Sequence, residues 1–467
     1  MGMTLAEKIL ARKAGRKSVE PGDIVTVEPD VVMSHDNAAA IAKSLAAMGV
    51  ARVWDPARIV IVLDHAVPAP SPEHAENHRR IRQFVREQGI ERFYDIGHGV
   101  CHVVMCERGH ARPGLLVLGS DSHTPTQGAL GAFAAGIGRT EMAAVWALGQ
   151  IWLRVPPTIQ VTLEGKLGAM VSAKDVALRL VAEIGPAGAD YRAVEFAGDL
   201  VKQFSMEARM VLTNLMAEAG AKTAMVPPDE VTALWLKGHD QDSAPSTQDP
   251  AVGTSQSAIR NPQSAIEDPQ PAFAKATADK SAIPNPHSAI RNSSRPAVPD
   301  PDAVYERIIV MDVAKLEPQV AAPHSPANAR PVGEVAGVPI DQVFLGSCAG
   351  GMIEDLRRAA DLLRGRRIAP ATRMIVVPAS MEIWRLALKE GLLATFAEAG
   401  TVIGNPGCGP CLGAHQGILA AGERCLSTAN RNFRGRMGNR DSEIYLANAS
   451  VAAATALAGR IADPRKL

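Results

Sequence analysis

Three cysteines stand where thiolates could meet at one metal. Cys408-Gly-Pro-Cys411 is a CxxC inside a run of turn residues, Asn405 to Gly413, where Pro and Gly impose a loop. Cys348 follows the apolar run Val343–Leu345 and precedes Ala349-Gly350-Gly351 and a helix-like stretch, Met352–Arg364, whose dipole would favour a thiolate. Spacing alone leaves several chemistries open: a dithiol redox pair, an incomplete zinc site, three ligands of a cubane iron–sulfur cluster, or no metal. Electron-transfer clusters usually take four cysteines, so three would leave one iron free to act as a Lewis acid. The other cysteines, Cys101, Cys106 and Cys425, read as buried thiols.

Ionisable residues recur where apolar runs end. Ile59–Leu63 runs into Asp64-His65, Leu115–Leu118 into Gly119-Ser-Asp121-Ser122-His123-Thr124, and Val343–Leu345 into Gly346-Ser-Cys348. A lone histidine after a strand is by default a hydrogen-bonded core residue. Three such strand ends suggest more, because the functional crevice of an α/β sheet lies at the carboxyl ends of its strands. The three points converge if the strands share a sheet or face each other across a cleft.

The elements that must position them alternate. Ile59–Leu63, Leu115–Leu118, Val343–Leu345 and Met374–Val377 read as buried strands, and Glu141–Leu153, Met352–Arg364 and Glu443–Arg460 as helices. That alternation predicts an α/β chain with mostly parallel sheets covered by helices. Residues 241–300 stand apart, with nine Pro, nine Ser and no Leu, and with short repeats at Gln256–Pro262, Gln263–Pro269, Ser281–Pro286 and Ser288–Asn292. Each repeat offers one Ile, too little to stack, so the segment reads as a low-complexity, disordered insertion between a first part, 4–238, and a second, 301–460. Gly128, Gly131, Gly136 and Gly138 read as close packing, since they do not spell a dinucleotide loop.

Bulk properties set limits. The chain has 467 residues, 46% of them hydrophobic and only 4% aromatic, so its core is aliphatic. With 49 basic and 49 acidic residues, no nucleic acid or anionic membrane is expected as a partner. Residues 1–20 carry Lys8, Arg12, Lys13, Arg16 and Lys17 and no apolar signal core, and the uncharged Ile444–Gly459 reads as a buried helix; a cytoplasmic location is expected.

The words around these residues resemble the aconitase superfamily. They are Leu63-Asp64-His65, Gly99-Val-Cys-His102, Gly119-Ser-Asp-Ser-His-Thr124, Pro323-His-Ser-Pro326, Gly346-Ser-Cys348 with Ile353-Glu-Asp-Leu356, Pro406-Gly-Cys408-Gly-Pro-Cys411, and Ser427-Thr-Ala-Asn-Arg431-Asn-Phe433-Arg-Gly-Arg436. They run in order over about residues 4–460, the insertion excepted. The resemblance implies three-layer α/β/α subdomains around a cluster-binding cleft, and one [4Fe-4S] cluster on Cys348, Cys408 and Cys411. It implies a hydro-lyase acting on a small hydroxy-dicarboxylate or tricarboxylate: isopropylmalate, homocitrate/homoaconitate or a methylated malate. Asp64, His65, His102, Asp121, His123 and Glu218 would be the acid/base and positioning residues, paired as His65 with Asp64, His102 with Asp121 and His123 with Glu218. Asn214 and Glu218, four apart, are expected on one helix face. Arg431 and Arg436 would project into one pocket and hold carboxylate, with Ser122, His35 and Asp36 as further substrate contacts. The swivelling domain, which carries the family's catalytic serine, has no counterpart motif here and is expected on a separate small subunit. Two readings of other classes are a zinc hydrolase on Asp64, His65 and His123 and a non-catalytic iron-responsive binding protein. The sequence departs from the family's usual Thr-Asn-Gly at Ala349-Gly350-Gly351, and from its usual Gln at Val103.

Overall fold

The computed structural model describes residues 2–239 and 297–467. Most of the proposed insertion, 241–296, lies outside them. Its last residues, 297–300, are described: Ala297 is buried, and Asp300 accepts from the Met3 amide at 2.9 Å and pairs with Lys8.

Three larger sheets organise the described residues, beside a two-stranded antiparallel pair of Ile24–Val27 with Ile151–Arg154. The first is five-stranded and parallel, in the order Arg92–Tyr94, Ile59–Val62, Val31–Ser34, Leu116–Gly119, Phe133–Gly136. The second is four-stranded and parallel, in the order Thr223–Met225, Ala193–Ala197, Thr158–Glu164, Arg307–Asp312. The chain beyond residue 300 thus re-enters a sheet begun before residue 240. The third has seven strands, ordered Ala329–Pro331, Gln319–Ala321, Glu443–Ala447, Arg424–Ser427, Gln342–Gly346, Arg373–Val377, Val402–Ile403; Gln319–Ala321 is antiparallel to both its neighbours and the other pairs are parallel.

Burial explains the apolar runs. Val343 and Leu345 enter one core with the helices Ile353–Leu363, Leu392–Ala399 and Ala449–Ala458, while Phe344 enters another with Val377, Cys425 and Ile444. A strand buried on both faces reads as a continuous apolar run, as helix-covered parallel sheets require. Local chemistry sets the ends of helices. Pro72–Gln88 opens on the Ser71 cap with Pro at its first position and closes on Gly89 at φ 72°. Gly128 is needed for contact, since a Cβ there would meet the Ala224 carbonyl oxygen at 1.8 Å.

Two helix expectations are corrected. Glu141–Leu153 is a helix, Arg139–Leu148, followed by a strand, Ile151–Arg154; Gly149 in the left-handed region divides them. Glu443–Arg460 is a strand, Glu443–Ala447, followed by a helix, Ala449–Ala458, capped by the Asn448 side chain on the Val451 amide. Tyr445 and Ile444 suit the strand, and Asn448 is a stop that periodicity alone passes over. No helix among the described residues is long and apolar enough to cross a membrane.

Candidate active site

The first and third sheets deliver their strand ends to one cleft. Asp64 and His65 follow the Ile59–Val62 strand, Asp121 to His123 follow Leu116–Gly119, and Cys348 follows Gln342–Gly346, beyond Ser347 at φ 72°. The strands lie in two sheets, so convergence is across a cleft. Cys408 opens a 3₁₀ turn, Gly409–Leu412, which is pinned to the first sheet where the Cys408 amide donates to the Asp64 carbonyl at 2.9 Å. A small cavity is lined by Cys348, Cys408, Cys411, His65, His102, Asp121, His123, Asn430 and Arg436, with Val100 and Leu412 as its apolar wall.

Side-chain N–H groups face two of the three sulfurs, while Cys408 Sγ lies 3.7 Å from Asp64 Oδ2. Asn214 Nδ2 lies 3.2 Å and Asn430 Nδ2 3.4 Å from Cys348 Sγ. Arg436 Nη2 lies 3.7 Å from Cys411 Sγ, and Asn430 Oδ1 lies 3.8 Å from the same sulfur. Burial pushes the Cys348 thiol up to about 12, helped by Cys411 and opposed by Asn214. Burial raises Cys408 well above the ordinary range too, against the pull of His65. Such thiols ionise near neutrality when a bound cation replaces the proton, and inward N–H donors suit the resulting thiolates. The predicted helix after Cys348 begins only at Ile353, so these amides, rather than the helix end, are the sulfur's neighbours.

Three histidine–carboxylate contacts ring the cavity. His65 Nδ1 is 2.6 Å from Asp64 Oδ1, His102 Nε2 is 2.8 Å from Asp121 Oδ1, and His123 Nε2 is 2.7 Å from Glu218 Oε1. His65 Nε2 also approaches Asp121 Oδ2 at 3.6 Å. Burial opposes the His65 charge, but Asp64, Cys408 and Asp121 outweigh it and hold the imidazole well above its ordinary 6.5. Asp121 is held well below its ordinary range, since His102, His123 and His65 overcome the effect of burial. Burial would raise Glu218, but His123 and Arg431 lower it. A protonated imidazole beside two carboxylates is a proton donor at neutral pH.

The remaining candidates are dispersed. Arg436 reaches the cavity, whereas Arg431 Nε donates to Glu218 Oε1 at 2.7 Å and braces that carboxylate. Asn214 lies in the last turn of the helix Met206–Leu215 and Glu218 sits in the following 3₁₀ turn, Met216–Ala219, so their side chains leave in different directions, to Cys348 and to His123. Ser122 is exposed on its turn. His35 is buried and stacks on His65 at 3.9 Å between ring centroids; burial and His65 lower it to about 4.

Sequence reading passed over Asn430 as a site residue, and it took Asp36, with His35, as a candidate substrate contact. The Asp36 carboxylate collects the amides of Asp64, His65 and Ala66 at 3.0, 2.9 and 3.2 Å and so shapes the His65 turn. For Asn430, the adjacent Arg431 was the available signal. The departure at Gly350 has a packing reason: a Cβ there would lie 2.3 Å from Thr428 Cβ. Val103 is buried in the core.

A model of the aconitase family (aconitate hydratase) matches residues 7–299 and 276–459, and the chain belongs to that family. Over 466 residues it is 49% identical to 3-isopropylmalate dehydratase large subunit 1 of Methanopyrus kandleri, covering 100% of this chain and 99% of that one. It is 45% identical over 471 residues to the probable 3-isopropylmalate dehydratase large subunit of Methanothermobacter thermautotrophicus, with 100% of both covered. The solved aconitase X of Thermococcus kodakaraensis (holo-form) aligns with 89% of this chain and 88% of its own, at 11% identity and a TM-score of 0.45.

Proposed function

We propose that this chain is the large subunit of an iron–sulfur hydro-lyase that interconverts 2-isopropylmalate and 3-isopropylmalate by dehydration and rehydration, a step of leucine biosynthesis in the cytoplasm. One observation carries the reading: three cysteines and three histidine–carboxylate pairs meet at one cleft in a chain 49% identical, over its full length, to a 3-isopropylmalate dehydratase large subunit.

The donor set fits one [4Fe-4S] cluster per chain, on Cys348, Cys408 and Cys411. The side-chain donors of Asn214, Asn430 and Arg436 face two of the sulfurs. A cluster held by these residues would supply Lewis acidity to the substrate hydroxyl. Arg436 receives a substrate carboxylate as a planar two-donor fork. His65, kept protonated by Asp64 and Asp121, gives its proton to the departing hydroxyl oxygen. Asp121 and Glu218 orient His102 and His123, and Arg431 steadies Glu218. Ser122 and His35 complete the substrate's surroundings. The base that removes the carbon-bound proton comes from a small subunit carrying the swivelling domain. Asp64, His65 and His123 do not fall in one ligand group: Asp64 and His65 lie with His35 and Asp36, and His123 with His102 and Asp121.

The test is iron and acid-labile sulfide per chain in anaerobically prepared protein, followed by turnover of 3-isopropylmalate with a candidate small subunit. The expected content is about four of each, lost in Cys348→Ser, with turnover only in the two-chain mixture. Iron-free protein from iron-replete cells, or a cluster indifferent to Cys348, overturns the reading.

A further inference from the structure

Lys174 is a buried cation without a carboxylate on it. It is the second residue of the helix Ala173–Ile184 and is 3% exposed. Its Nζ donates to the carbonyls of Thr428 at 3.0 Å and Ala429 at 2.6 Å. It forms no ion pair among the described residues. The carboxylate beside it in sequence, Asp175, is occupied by the amides of Ser172 and Gln319 and by Asn448 Nδ2. Both features are costly: an ammonium at the positive end of a helix, and a charge removed from water. The carbonyls it holds lead directly into Asn430, which touches the sulfurs of Cys348 and Cys411. Burial lowers Lys174 to about 8, while Asp355 and the two cysteines favour its charge, so it remains cationic at neutral pH.

We propose that Lys174 is a positioning residue and the built-in counter-charge of the iron–sulfur centre: it fixes the Thr428–Asn430 turn from behind and favours extra negative charge on the thiolate-bound cluster. The proposal rests on the cluster reading above. A buried cation near a cluster favours its reduced state and so raises its potential.

The experiment is a redox titration, followed by electron paramagnetic resonance, of the reconstituted full chain as wild type, Lys174→Arg, Lys174→Gln and Lys174→Met. Melting of each apo-protein is measured alongside. Arg keeps the wild-type midpoint. Gln, which keeps a donor but no charge, lowers the reduced-to-oxidised ratio at fixed potential about tenfold, or about 59 mV for one electron. A neutral variant that melts like wild type yet takes up no cluster also supports the proposal. A neutral variant with the wild-type midpoint overturns it. So does failure of both neutral variants to fold as apo-protein while Arg folds, because the charge is then needed without any cluster. Wild type that binds no cluster would instead sink the functional reading.

Discussion

Asn214 and Cys348, 134 residues apart in sequence, meet with the amide nitrogen 3.2 Å from the sulfur. The same asparagine donates to Thr126 Oγ1 at 2.8 Å and accepts from Asn430 Nδ2 at 3.1 Å, so its amide is held from three sides and its orientation is set. A hydrogen bond to a charged group contributes roughly 1.5–3 kcal/mol. Asn214→Ala is therefore expected to load a cluster and to release it to a chelator at least about tenfold faster, measured by the decay of absorbance near 400 nm.

Cysteine replacements should divide by place. Cys348→Ser, Cys408→Ser and Cys411→Ser are each expected to lose most of the iron. Cys106→Ala, at a buried thiol that is not among the residues lining the cavity, keeps it. Retention of full iron by any of the first three variants would remove that cysteine from the ligand set.

Asp64 raises the His65 imidazole more than any other neighbour. In Asp64→Asn the imidazole loses its proton at lower pH, so the alkaline limb of kcat/KM should move down in pH. Loss of the positioned acid lowers kcat by roughly 10²–10⁴-fold. Iron content, measured in parallel, guards against an indirect effect through Cys408, whose sulfur lies 3.7 Å from Asp64 Oδ2. An unmoved alkaline limb with a full cluster would remove His65 as the acid.

The two arginines should separate kinetically. Arg436 lines the cavity, so Arg436→Lys loses the planar fork and raises KM for substrate. Arg431 acts on Glu218 and through it on His123, so Arg431→Lys lowers kcat with a smaller change in KM. Steady-state kinetics of the two-subunit enzyme decide; equal KM effects would put both arginines on substrate.

Glu195 tests the core. Burial raises its carboxyl from 4.5 to about 7, although it accepts from the Ala6 amide at 3.0 Å. A raised folded-state value means that stability is fully present below about 4.5 and is lost as pH climbs through 7. The shift corresponds to roughly 3 kcal/mol at 1.36 kcal/mol per unit. Glu195→Gln should be near neutral at pH 5 and stabilising at pH 8, read from denaturant midpoints. Equal effects at the two pH values would contradict it.

What the sequence displays and what it conceals follow from the physics of strands and turns. Val343–Leu345 and Ile59–Leu63 are legible because strands buried on both faces must be apolar, and the residues just beyond them stand out by contrast. Seven motifs in order made the family legible, and with it the histidine–carboxylate pairs. The Asn214 contact was hidden, because an asparagine in a helix has no mark that tells which distant sulfur it faces. Lys174 was hidden for a related reason: a lysine near a helix start reads as solvated surface until the turn above it is known. Glu443–Arg460 was misjudged because an uninterrupted uncharged stretch hides a strand-to-helix switch whose only mark is Asn448.

The cleft is assembled from positions as far apart as His65 and Arg436, supplied by separate sheets and by the loop between Pro406 and Gly413. Its integrity is therefore a sum over distant parts of the fold. A lesion that loosens one sheet by a fraction of an ångström leaves secondary structure and melting nearly untouched, yet spoils the meeting of sulfurs and amides. Local openings of this kind need far less free energy than global unfolding. In a mutational survey of this chain, iron occupancy should fall before thermal stability does, making the metal a finer gauge of tertiary order than the melting curve.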